Sequence, residues 1–145
     1  MDYPDAAAEK QILLNAQAGF RAKRLDLVRL KPIATVEQII SARKSVQAVE
    51  VEDKLLDYLL ALVQRTRQHP DLSLGASPRA AVAWLQTSKA QAWLAGRNYV
   101  TPDDVKAVAP PLLRHRLILK PEAQLDGLQI DSIIASLLNQ VPVPR

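Results

Sequence analysis

The chain has 145 residues, a formal net charge of +4 and no cysteine, and it is 48% hydrophobic but only 4% aromatic. That length suits one domain with a real core, and the missing cysteines exclude disulfides and thiolate metal sites. No apolar run is long enough to span a bilayer, the N-terminal Met1-Asp2-Tyr3-Pro4-Asp5 lacks the basic and apolar regions of a signal peptide, and the modest charge permits an acidic partner or nucleic acid without demanding either.

Leu and Ala dominate the composition, which favours helix packing over a β-sandwich. Asp5 is a plausible N-cap for a first helix to about Ala18, with Ile12, Leu13, Ala16 and Phe20 at helical spacing and Gly19 at its end. From Arg21 to Ala34 the periodicity is lost. Arg21, Lys23, Arg24, Arg29 and Lys31 make this a basic, irregular connection, and Pro32 discourages helix before it. Without interleaved aromatics, these cations read as a solvated linker rather than a nucleic-acid stripe.

Thr35-Val36-Glu37-Gln38 is a capping box. It opens a helix striped by Val36, Ile39, Ile40, Arg43 and Val46, and Val49 to Glu52 reads as a short extended link. The next helix runs from Glu52-Asp53 to about Arg67 or Gln68 with a broad apolar face. Pro70 ends it, and Asp71 to Gly75 is expected to be a loop. A helix from Pro78 to about Leu94 follows. Its residues Ala80 to Leu85 are apolar all round, as in the centre of a bundle. Trp84 and Trp93 lie nine positions apart and face roughly opposite ways, and both read as core residues rather than a stacking platform. Gly96 stops this helix. Thr101-Pro102-Asp103-Asp104 starts the next, its acids placed for the helix dipole rather than for magnesium. Pro110-Pro111 is expected to break or kink that helix. Pro121-Glu122-Ala123 suggests a helical turn, and Leu128 to Asn139 a last helix before a loose tail.

The start at Gly75-Ala76-Ser77-Pro78-Arg79-Ala80 stands out. Ser77 can cap the helix, and Pro78 suits its first position. Arg79 then puts a cation at the end of the helix that is already positive. An anion nearby would explain it, because helix N-termini bind phosphates well; on local sequence alone the commoner reading is a capped helix with a solvated arginine.

The run His69-Pro70-Asp71-Leu72-Ser73-Leu74-Gly75-Ala76-Ser77-Pro78-Arg79-Ala80 resembles the second-sensor segment of MoxR-family AAA+ ATPases. Upstream, Leu55 to Leu60 and Thr66-Arg67-Gln68-His69-Pro70 are similar to the helix leading into it. Downstream, Gly96-Arg97-Asn98-Tyr99-Val100-Thr101-Pro102-Asp103-Asp104-Val105 and Leu113-Arg114-His115-Arg116-Leu117 follow in the family's order and spacing. Magnesium-chelatase subunits share part of this pattern. No GxxxxGK[ST] segment is present, so the phosphate-cradling P-loop is missing from this sequence.

The resemblance implies an all-α lid domain, a helical bundle of about five to six helices. Residues 1–34 would be the tail of the AAA+ core and a linker, 35–141 the lid, and 142–145 a loose tail. It implies that Arg79 contacts ATP phosphates, with Ser77 and Ala80 beside it, and that Arg114, His115 and Arg116 serve an interface or internal salt bridges. ATP and Mg2+ would belong to the parent protein, which would hydrolyse ATP as a hexameric cytoplasmic ring. Its partners would be the lid's own core, neighbouring subunits, and a client or von Willebrand A-domain protein. By itself this chain should not hydrolyse ATP or hold a cofactor tightly, and it implies no membrane. His69 reads as a helix-end histidine, and two isolated histidines do not make a metal site. The competing readings are a helical nucleic-acid-binding module and a free-standing adaptor. Against the first, no helix carries the basic, amide-rich face that reads bases.

Overall fold

The helix starts are made by the side chains the sequence offers for them. In the computed structural model, which describes residues 3–21 and 31–144, Asp5 accepts the Ala8 N–H at 2.8 Å and opens α1 (Ala6–Gln17). Thr35 Oγ1 accepts the Gln38 N–H at 3.2 Å while Gln38 Oε1 accepts the Thr35 N–H at 2.8 Å, and α2 (Val36–Gln47) follows. Then come α3 (Asp53–Gln68), α4 (Pro78–Leu94), α5 (Pro102–Leu113), α6 (Pro121–Leu125) and α7 (Ile130–Gln140). The fold is mostly helical, with seven helices among the described residues, one of them only five residues long.

Contacts divide the chain into two units, Met1–Gln38 and Ile39–Arg145. In the first, α1 buries none of its residues, and Ile12 and Leu13 stay exposed. Lys23, Arg24 and Arg29 of the expected basic connection lie outside the described residues.

The second unit is built around the pairing of α4 with α5. Ala80, Trp84, Ser88 and Ala92 recur every four residues along α4 and are buried. The two alanines let α5 approach closely, and the Trp84 indole N–H donates to the Val105 carbonyl at 2.8 Å across the contact. Leu62 and Val63 of α3, Leu113 of α5 and Ile134 of α7 complete this core. The burial of α4 is one-sided: Val82 and Leu94 are exposed, and Trp93 is 37% exposed, so only Trp84 is a core tryptophan. Nine positions carry Trp93 away from the face that meets α5.

The start of α5 is tightly bonded. Asp104 is buried. Its Oδ2 accepts from the Thr101 N–H at 2.8 Å and the Thr101 hydroxyl at 2.9 Å, and Arg97 donates to both its oxygens at 2.7 and 2.6 Å. The Arg97 bonds, joined by those from Thr101, hold the Asp104 carboxyl below its ordinary value. Gly96, at φ +76°, supplies the left-handed turn that ends α4.

Two further expectations are amended: of the break or kink expected at the proline pair the break is absent, and the expected loop after Pro70 is partly strand. Pro110 and Pro111 do not end α5, which continues to Leu113, with the Arg114 N–H still bonded to the Pro110 carbonyl at 3.1 Å. Burial of Ala109, Leu112 and Leu113 on both sides of the proline pair outweighs the two missing N–H donors. The stretch after Pro70 is not all loop. Leu72–Leu74 forms β1, which pairs antiparallel with β2 (Ile118–Leu119), Leu72 opposite Leu119 and Leu74 opposite Ile118. The Lys120 N–H extends the ladder to the Asp71 carbonyl at 2.9 Å.

Candidate functional site

The site begins where α3 hands over to α4. Gly75 lies directly on the α3 backbone: a Cβ there would stand 2.7 Å from the Arg67 Cα and N and 2.8 Å from the Thr66 carbonyl carbon. Only a residue without a side chain fits. The sequence marks Gly75 as a breaker, yet its backbone is not left-handed; the requirement is close approach. Next, the Ala76 N–H donates to the buried Thr66 hydroxyl at 2.8 Å, and the Ala76 carbonyl accepts from Arg67 Nε at 2.8 Å. Ser77 then caps α4, its hydroxyl accepting the Ala80 N–H at 3.2 Å, with Pro78 in the first turn.

Arg79 emerges from this first turn exposed to solvent. Among the described residues it makes no hydrogen bond or ion pair. It lines a cleft of about 500 Å3 together with Ser77, Ala80, Arg67, His115 and Arg116, and no Asp or Glu is in the lining. Thirty-odd residues separate Arg79 from His115. The β1–β2 ladder brings them together by laying the segment after α5 beside the segment before α4. Ser73 reinforces the crossing with hydroxyl bonds to the Ile118 and Leu119 carbonyls.

The Arg114-His115-Arg116 run divides. Arg116 Nη1 donates to the Leu112 carbonyl and lies against His115 Nε2, and both residues face the Arg79 cleft. Arg114 donates instead to Asp131 at the start of α7, at 2.6 Å, and this bond raises the arginine further above its ordinary value. That pair is more than half exposed on both sides, so solvent screens it. His69 sits at the end of α3, where its Nδ1 accepts the Asp71 N–H at 3.3 Å, a packing and capping role.

Sequence reasoning assigned Thr66 and Arg67 no role. No local signal marks them, because their bonds to Ala76 exist only once the chain has turned back onto α3. A larger groove of about 600 Å3 lies between α2 and α4, lined by Ile39, Val46, Val82 and Leu85 with Arg43 and Lys89, but it holds none of the candidate residues. Among the described residues no group of three His, Cys, Asp or Glu could hold a metal, and no helix is long and apolar enough to cross a membrane. Cations without a carboxylate fit phosphate oxygens, not a metal ion.

A family model described as the AAA lid domain matches residues 64–137. The chain is 36% identical over 144 residues to the uncharacterized protein YeaC of Bacillus subtilis, covering 99% of this chain and 43% of that protein. It is 31% identical over 157 residues to chaperone MoxR1 of Mycobacterium tuberculosis, covering 99% and 38%. With the magnesium-chelatase subunit ChlI homolog of Methanocaldococcus jannaschii it shares 34% over 107 residues, covering 72% and 27%. The crystal structure of a protein from Cytophaga hutchinsonii assigned to the ATPases superposes with a TM-score of 0.77 at 26% identity, covering all of this chain and 45% of that one. The chain spans about two fifths of the length of the first two of these relatives. With the matched segment taking in the α3–α4 turn, the ladder and the cleft, the chain belongs to the AAA lid domain family, in the form carried by MoxR and magnesium-chelatase AAA+ ATPases.

Proposed function

We propose that this domain is the nucleotide-sensing lid of a MoxR-type AAA+ ATPase, and that Arg79 reads the terminal phosphates of ATP held by the core. The observation that carries this reading is Arg79, unpaired among the described residues, in a cleft lined there by Arg67, His115 and Arg116 and by no carboxylate. A guanidinium supplies planar donors and a permanent charge to oxygens whose charge shifts during phosphoryl transfer. Hydrolysis removes the group that Arg79 holds, so lid position follows nucleotide state. ATP would arrive with Mg2+ on the P-loop of the core. Ser77 and Ala80 set the helix start from which Arg79 projects, and His115 and Arg116 add positive potential.

The parent protein would hydrolyse ATP as a hexameric cytoplasmic ring in which this lid meets its own core and a neighbouring subunit. In keeping with the chaperone naming of the mycobacterial relative, the work done would be assembly or activation of a client, with a von Willebrand A-domain protein as a candidate partner. The test is ATP turnover and nucleotide affinity of the full-length protein, wild type beside Arg79→Ala. A fall of tenfold or more in turnover with an unchanged melting temperature is expected. Unchanged turnover and affinity would refute the sensor role.

A further inference from the structure

We infer that Arg67 is a positioning residue for Arg79: its Nε–H, bonded to the Ala76 carbonyl, fixes the turn from which α4 starts and so sets where the Arg79 charge stands. The inference rests on the reading of Arg79 as the phosphate sensor.

Both polar groups of Ala76 are taken by consecutive residues of α3. Thr66 accepts its N–H at 2.8 Å and in turn donates to the Val63 carbonyl at 2.6 Å, so that hydroxyl is fully committed inside the core. Arg67 holds the carbonyl at 2.8 Å. Gly75 rests on the backbone of the same two residues. The clamp acts one residue before the Ser77 cap and three before Arg79. A rotation of the Ala76 peptide would turn the axis of α4 at its first turn and displace the guanidinium. A displacement of about 1 Å at a reacting centre can cost on the order of 100-fold in rate.

Arg67 is cationic and lines the cleft, so a direct contact with phosphate is the competing explanation. Geometry offers a way to separate them. Glutamine carries its amide nitrogen at the same distance along the side chain as Nε of arginine, so Arg67→Gln keeps a donor for the Ala76 carbonyl and removes the charge. Arg67→Ala removes both.

The experiment measures ATP turnover and nucleotide affinity in the full-length protein for Arg67→Ala, Arg67→Gln, Arg79→Ala and the double variant Arg67→Ala/Arg79→Ala. It adds amide hydrogen exchange of residues 75–80 in the first two variants and the wild type. Positioning requires a loss of about tenfold or more for Arg67→Ala, recovery in Arg67→Gln, and no further loss when Arg67→Ala is added to Arg79→Ala. It also requires faster exchange at Ala76 and Ala80 in Arg67→Ala, with α5 and α7 unchanged. Equal losses in the alanine and glutamine variants, or additive losses in the double variant, would overturn it in favour of direct contact. Normal turnover and normal exchange in Arg67→Ala would overturn it outright. If Arg79→Ala is itself silent, the sensor reading fails separately. The exchange data then decide whether Arg67 holds the turn.

Discussion

Adding one methyl group at Gly75 tests the handover from α3 to α4 directly. In Gly75→Ala the new Cβ would start 2.7 Å from the Arg67 Cα, about 0.8 Å inside the ~3.5 Å lower limit of comfortable carbon contact. The obstacles are backbone atoms of a helix, so no rotamer change relieves them and the turn itself must lift. Overpacking of this kind costs about 1–3 kcal/mol. Lifting also stretches the Ala76–Thr66 bond and leaves the buried Ala76 N–H short of its partner, about 1 kcal/mol or more. Reduced freedom of the unfolded chain returns about 0.4–1 kcal/mol. The expected net loss is about 2–3 kcal/mol, read as a shift of the urea midpoint at unchanged m-value, together with a fall of roughly 10 °C or more in melting temperature. A loss below about 0.5 kcal/mol would refute the claim that close backbone approach is what this position demands.

Trp84→Phe leaves the Val105 carbonyl without its indole donor inside the core and is expected to cost about 2 kcal/mol in denaturant unfolding; no change would show the bond to be incidental. Asp104→Asn is expected to destabilise the domain at neutral pH. Because the folded carboxyl titrates below its ordinary value near 3.8, the stability it contributes is complete above that value and lost as pH falls through the lower folded one, so the gap between wild type and variant should close on acidification; a gap constant down to pH 2 would contradict the ion-pair account. Arg114→Ala should leave the melting temperature within error, and any difference should vanish in 1 M salt, given the exposure of the Arg114–Asp131 pair. Loss of turnover in Arg79→Ala remains the functional test.

Signals confined to a few neighbouring residues were legible in the sequence. Asp5, the Thr35–Gln38 box and Ser77-Pro78 each act within four residues, and each forms the bond its chemistry suggests. Features that depend on distant partners were not. Leu72-Ser73-Leu74 and Ile118-Leu119 are too short to show a period of two, and their pairing exists only because α4 and α5 return the chain to the same place. Pro110-Pro111 looks like a stop because local rules count missing donors but not the core contacts of Leu112 and Leu113. The candidate site was half legible. Arg79 stood out by its unfavourable place on a helix, whereas the grouping of Arg67, His115 and Arg116 around it is a product of the ladder.

The ladder of β1 and β2 has a consequence for how such a domain diversifies. One wall of the cleft belongs to the turn into α4, where a Cβ on Gly75 would stand 2.7 Å from the α3 backbone. The other belongs to a corner outside any helix or strand, the exposed His115 and the half-buried Arg116. On the proposed phosphate-sensing reading, substitutions in that corner would retune the charge offered to an incoming anion while leaving the start of α4 in place. Affinity and alignment would thereby fall to separate stretches of chain, so that a change in the first need not disturb the second.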